Sequence, residues 1–159
     1  MSIVTGIDPG KTGALVILFP DGSTAVHRVP LMKLRGKERP AWTEWAILWT
    51  NALAFAGPDL IVIEEVGARP GQGVTSMFNF GQALGFIRAI AAGAGCRIES
   101  VTPSIWKGKL GLLKSDKNAS REAARRLVPS ITGEVARVKD DGVAEAALLA
   151  YYGRKFISD

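Results

Sequence analysis

The chain has 159 residues, 47% of them hydrophobic, and its 20 Lys and Arg outnumber 15 Asp and Glu to give a net charge of +5. That apolar mass suffices for one core, so a single domain over residues 1–159 is expected. One histidine, His27, and one cysteine, Cys96, exclude a His-rich metal site, a zinc cage and an internal disulfide framework; the basic balance favours a polyanionic partner.

Ser2 to Ile7, Ala14 to Phe19 and Thr24 to Val29 are apolar and β-branched, with a turn composition at Pro20-Asp21-Gly22-Ser23, and predict three antiparallel strands. Leu31 to Pro40 carries four basic residues with Gly and Pro and reads as an exposed loop. Over Ala41 to Ala56, Trp42, Trp45, Trp49 and Leu53 recur at helical spacing. Such a one-sided stripe reads as a core or subunit-facing surface in preference to a base-stacking platform. Leu60 to Val66 is a nearly continuous apolar run, as in a strand covered on both faces. Gly67 to Gly73 reads as a loop, Val74 to Ala94 as a long helix with small residues at Gly81, Ala83, Gly85 and Ala89, and Arg97 to Val101 as a fifth strand. A helix start at Pro103-Ser104, a basic segment through Lys117 and helices over Asn118 to Val128 and about Gly142 to Lys155 complete the chain. This order predicts an α/β fold of the ribonuclease H type, a five-stranded mixed sheet of three antiparallel strands and then parallel ones, flanked by helices. The first residues lack the positive start and long apolar run of a signal peptide, and no window has 18 consecutive apolar residues, so a cytoplasmic location with no membrane partner is expected.

Acidic residues stand in three ordered places: Asp8 in GIDPG, Glu64 and Glu65 in LIVIEEV, and Asp140, Asp141 and Glu145 in KDDGVAEAALLA. Carboxylates at strand ends and on an apolar helix are costly to gather, because like charges repel and burial penalises each one. A bound divalent cation removes both objections. Hard cations such as Mg2+ prefer oxygen ligands, and a pair of them can clamp the attacking and leaving oxygens of a phosphodiester, so a metal-dependent nuclease is the leading expectation. Asp8 ends the first strand, where Pro9-Gly10 turns the backbone away, and could alternatively cap that turn. Glu64 ends the buried strand, while Glu65 leaves from the opposite face and is expected to meet a basic neighbour. Asp141 and Glu145, four apart, share a helix face. Asp140 points roughly 140° away if helical, and reaches the same ion only if the helix starts at Gly142; either aspartate can also serve as an N-cap.

The GIDPG segment, the Ile63-Glu64-Glu65-Val66 strand end, the Gly81-Gln82-Ala83-Leu84-Gly85 helix and the closing Asp-Asp/Ala-Glu-Ala segment together resemble the RuvC family of Holliday-junction resolvases, in particular its phage-type members, over nearly the whole chain. The resemblance implies a structure-selective endonuclease acting as a homodimer on branched DNA. It also implies two Mg2+ ions per site, with Mn2+ as a substitute, and metal ligands Asp8, Glu64, Asp141 and Glu145, with Asp140 as the alternative. Lys107 and Lys117 match rim lysines of the family, which makes Lys107 catalytic; the basic run Lys107, Lys109, Lys114 and Lys117, which could equally be a solvated face, and Arg69 in the loop after the fourth strand are the expected DNA contacts. Two departures stand out. Bacterial members carry two aspartates three apart on the closing helix, whereas Gly142 is three before Glu145 here, and their wedge aromatic matches Gly67, leaving Phe78 and Phe80 as substitutes. Two other readings remain: a non-catalytic junction-binding protein, which would be expected to have lost an acid of the set, and a kinase or ATPase lobe, because Asp8-Pro9-Gly10-Lys11-Thr12-Gly13 also resembles a phosphate loop.

Overall fold

The computed structural model describes residues 1–158. Strands β1 (Val4–Asp8), β2 (Ala14–Leu18) and β3 (Thr24–Arg28) are followed by the short pair β4 (Leu31–Leu34) and β5 (Lys37–Pro40). Helix α1 (Trp42–Ala56), β6 (Leu60–Glu64), α2 (Val74–Gly93), β7 (Arg97–Val101), α3 (Pro103–Lys109), α4 (Lys117–Leu127) and α5 (Asp141–Phe156) come next. The main sheet has the order β3-β2-β1-β6-β7, with β1, β2 and β3 antiparallel and β1, β6 and β7 parallel. This is the mixed five-stranded arrangement that the apolar runs predict.

Strand alternation sorts the core into two layers. Val4, Val16, Leu60 and Val62 face α5 and α4, joined by Ala144, Ala147 and Leu148. Ile7, Leu15, Ile61 and Ile63 face α1 and α2, joined by Trp45, Trp49, Leu53 and Ile87. The tryptophan stripe is therefore core: the rings of Trp42 and Trp45 stack at 5.5 Å, and Phe86 meets each of them at 5.0 Å. On the other layer α5 lies directly on β1. A side chain at Gly6 would run into the Ala146 carbonyl oxygen and the Ala150 nitrogen, so the helix approaches this closely only because the position is glycine.

Two stretches differ from expectation. Leu31 to Pro40, expected as a loop, is a two-stranded antiparallel ribbon pairing Leu31 with Pro40 through Leu34 with Lys37. Its strands rest on backbone pairing and on a turn at Arg35 and Gly36, without the apolar face that marks a strand in sequence. Pro129–Val135 and Val138–Asp140 form 3-10 turns ahead of α5, which begins at Asp141. Among the described residues, no helix is long and apolar enough to cross a membrane.

Candidate active site

Because β1 and β6 are parallel neighbours with Ile7 opposite Ile63, the residues that follow, Asp8 and Glu64, end side by side at one rim of the sheet. Both continue the Val4/Gly6 and Leu60/Val62 phase, so their carboxylates lie on the α5 face. Helix α5 brings Glu145 to them. One oxygen from each of Asp8, Glu64 and Glu145 lies within 4.8 Å of the other two. Gly142 permits this closeness, since a Cβ there would sit 3.0 Å from Asp8 Oδ2 and nearer still to the Thr12 carbonyl oxygen.

Two basic groups and one indole surround the carboxylates. Trp106 on α3 is fully buried and its Nε1 donates to Glu64 Oε1 at 3.1 Å. Lys107 Nζ donates to Glu145 Oε1 at 2.7 Å and lies 5.1 Å from the Trp106 ring centroid. Lys117, the first residue of α4, places Nζ 2.6 Å from Asp141 Oδ2. Burial pushes the Asp8 carboxyl well above the usual range, and the charges of Glu64, Glu145 and Asp141 push it further. Glu64 is raised by burial and by Glu145, against the opposing influence of the Trp106 hydrogen bond and of Lys107 and Arg69. A site made wholly of oxygen donors, two of which burial and mutual repulsion push toward the protonated form, fits a hard divalent cation.

The sequence-derived candidates divide into those brought together and those set apart. Asp8, Glu64 and Glu145 converge, with Asp141 beside them and its carboxylate engaged by Lys117. Asp140 points elsewhere: its Oδ2 accepts the Arg137 backbone N–H at 2.9 Å, its Oδ1 accepts Arg137 Nη2 at 2.8 Å, and Arg28 Nη2 stands 3.6 Å away. Those arginines hold its carboxyl below the usual carboxylate range, with the Arg137 hydrogen bond as the largest cause. Glu65 faces α2, where Arg88 lies 3.8 Å away. Of the basic candidates, Lys107 and Lys117 touch the carboxylates and Arg69 lies on the exposed loop after β6. Lys109 instead sits 5.9 Å from the Phe156 ring at the far end of α5, and Lys114 is exposed in the α3–α4 turn. Phe78, in the first turns of α2, is 69% exposed, whereas Phe80 is partly buried. Trp106, a site residue that the sequence analysis did not single out, is core with its polar edge on a site carboxylate. The available signal was its place directly before Lys107, at the start of a helix following the fifth strand.

No protein-family model matches the sequence, and no curated protein matches it. Solved structures do. Thermus thermophilus RuvC in complex with a Holliday junction substrate superposes with a TM-score of 0.61 at 18% identity, over 96% of this chain and 92% of that one. The yeast mitochondrial Holliday junction resolvase gives 0.59 at 16% identity, over 95% of this chain and 77% of that one. The fowlpox virus Holliday junction resolvase gives 0.56 at 16% identity, over 98% and 99%. The shared property at this level of identity is the fold, which is ribonuclease H-like.

Proposed function

We propose that the protein is a metal-dependent, structure-selective DNA endonuclease that cleaves Holliday junctions and related branched DNA as a homodimer. The observation that carries this reading is the convergence of Asp8, Glu64 and Glu145 oxygens within 4.8 Å at a partly buried rim. The fold shared with resolvases of bacterial, mitochondrial and viral origin supports it.

In this reading Asp8, Glu64 and Glu145, with Asp141 beside them, would hold two Mg2+ ions, for which Mn2+ could substitute. Bound there, the ions would supply Lewis acidity and an activated water for in-line displacement at a phosphodiester. The protein's own groups do the rest. Trp106 fixes one oxygen of Glu64, leaving the other to turn toward the site. Lys107 and Lys117 neutralise Glu145 and Asp141 and stand where their ammonium groups can transfer to phosphate oxygens of a bound strand. Arg69 lies on the neighbouring loop to receive the backbone. Two such sites related by a two-fold axis suit a substrate of matching symmetry.

The test is cleavage of labelled four-way junction, flap and linear duplex DNA with Mg2+, with Mn2+ and with chelator. Paired nicks in the junction that require the metal are expected. Cleavage of all three substrates in chelator, or of none in any metal, would overturn the reading.

A further inference from the structure

The β4–β5 ribbon belongs to neither layer of the core. Its strands pair only with each other, and every residue from Leu31 to Arg39 is exposed. An isolated two-stranded hairpin is marginal in water, so a ribbon with no fully buried side chain contributes little to the fold.

Its position is set by the register of the sheet. Asp8 is opposite Ala14, and Ala14 is opposite Arg28, so the end of β3 lies at the same rim as the carboxylate site. The Val29 N–H donates to the Gly13 carbonyl at 3.3 Å, and the ribbon departs from there. Its base is closed by the Ala41 N–H donating to the Pro30 carbonyl at 2.9 Å. Lys11, in the turn that follows Asp8, lies 3.4 Å from Glu38 Oε2 and ties the second strand to the rim.

Its chemistry is one-sided. Lys33, Arg35, Lys37 and Arg39 are opposed by one acid, Glu38, which Lys11 already engages. Met32 pairs with Arg39 and Leu34 with Lys37, so one face carries two cations beside two apolar side chains that are 46% and 48% exposed. Four residue pairs span about 13 Å at about 3.4 Å per residue. A two-stranded ribbon is narrow enough to enter the major groove of duplex DNA, about 12 Å across, where apolar groups meet thymine methyls and cations meet phosphates.

We propose that the β4–β5 ribbon is a DNA-docking arm that lies along the duplex flanking the cleaved bond, with Lys33, Arg35, Lys37 and Arg39 neutralising its phosphates. This rests on the nuclease reading and adds to it a binding surface outside the carboxylate site. The arm grips the DNA backbone, so it binds linear duplex and junction arms alike.

The test compares two proteins that carry Asp8→Asn so that the DNA stays intact: one otherwise unaltered, the other also bearing Lys33→Gln, Arg35→Gln, Lys37→Gln and Arg39→Gln. Affinity for a labelled four-way junction and for linear duplex is measured across a salt series, with thermal melting of each protein and Lys37→Glu alone as a second, milder change. The quadruple variant should melt as its parent does, bind about tenfold or more weakly, and show a salt slope shallower by about 3.6, near 0.9 for each of the four phosphates no longer neutralised. Lys37→Glu should move both readouts in the same direction. Equal affinity and slope in parent and quadruple variant overturn the arm while leaving the nuclease reading intact. Unchanged DNA binding with altered sedimentation also overturns it, in favour of a second copy of the chain as the occupant. A parent that binds neither DNA refutes the nuclease reading and the arm together.

Discussion

On the α1/α2 face of the sheet, Trp45 and Trp49 are fully buried and their indole nitrogens have no hydrogen-bond partner; on the α5 face the equally buried Trp106 donates to Glu64. The first pair fills space between apolar neighbours and leaves two donors unsatisfied, a cost that ring packing must exceed. The third spends its donor on a carboxylate at the rim. The same residue type is thus filler on one layer and a positioning group on the other, and strand phase decides which, because β1 and β6 end in acids that face α5. Aromatic content therefore says little about function until the partner of each ring nitrogen is known.

The contrast breaks most completely at Asp8. Asp8→Asn should reduce junction cleavage by more than about a hundredfold, beyond what losing a group that merely supports a ligand costs. The same change should stabilise the metal-free protein at neutral pH. In chelator, burial and the neighbouring acids raise the Asp8 carboxyl above its unfolded value, so between those two values the folded protein binds more protons than the unfolded chain. Stability must then fall as pH rises through that window and level off above it. Thermal melts in chelator should show this decline in the wild type and a shallower one in Asp8→Asn.

Next in size is Gly142→Ala. A Cβ there meets a backbone carbonyl, which cannot rotate away, so the cost should reach the upper end of the overpacking range, about 3 kcal/mol by denaturant titration. Metal affinity should drop with it because α5 carries Glu145. A Gly142→Ala protein with unchanged stability and metal binding would mean that α5 stands further from Asp8.

The tryptophan comparison itself is sharpened by Trp106→Phe against Trp49→Phe. Both shrink a buried ring, but only the first removes a used donor. Mn2+ affinity measured by calorimetry should fall about tenfold in Trp106→Phe and stay unchanged in Trp49→Phe. Equal affinities would return Trp106 to packing alone. The smallest effect belongs to Glu65→Gln, on the face away from the site, where the change removes only an exposed pair with Arg88; cleavage should stay within about twofold of wild type.

Much of this was legible in sequence because it follows from period. Alternation along Leu60 to Glu64 separates Glu64 from Glu65, and four-residue spacing aligns Asp141 with Glu145, with no tertiary information needed. The Trp42, Trp45 and Trp49 stripe was legible as core for the same reason. The ribbon was not, since its strands are stabilised by each other and carry no apolar alternation over their length. For the two adjacent aspartates the four-residue spacing favoured Asp141 but kept Asp140 as the alternative, because the carboxylate of Asp140 is directed by Arg28, more than a hundred residues away, and by Arg137 folding back across a 3-10 turn. The Trp106 donor is likewise a long-range fact, joining α3 to the end of β6.

Asp140, outside the carboxylate cluster, acts on it as an indexing pin. Held by Arg137 from one side and Arg28 from the other, it fixes the angle at which α5 starts. A helix advances about 100° per residue, so one residue inserted between Asp140 and Glu145 would swing the glutamate out of reach of Asp8 and Glu64 while leaving the helix intact. Length changes before Arg137 act instead on a segment held by its own contacts, Arg28 to Glu134, Arg125 to the Val135 carbonyl and Arg121 to the Ala136 carbonyl. The chain thus has a point after which its residue count is a matter of chemistry and before which it is a matter of folding.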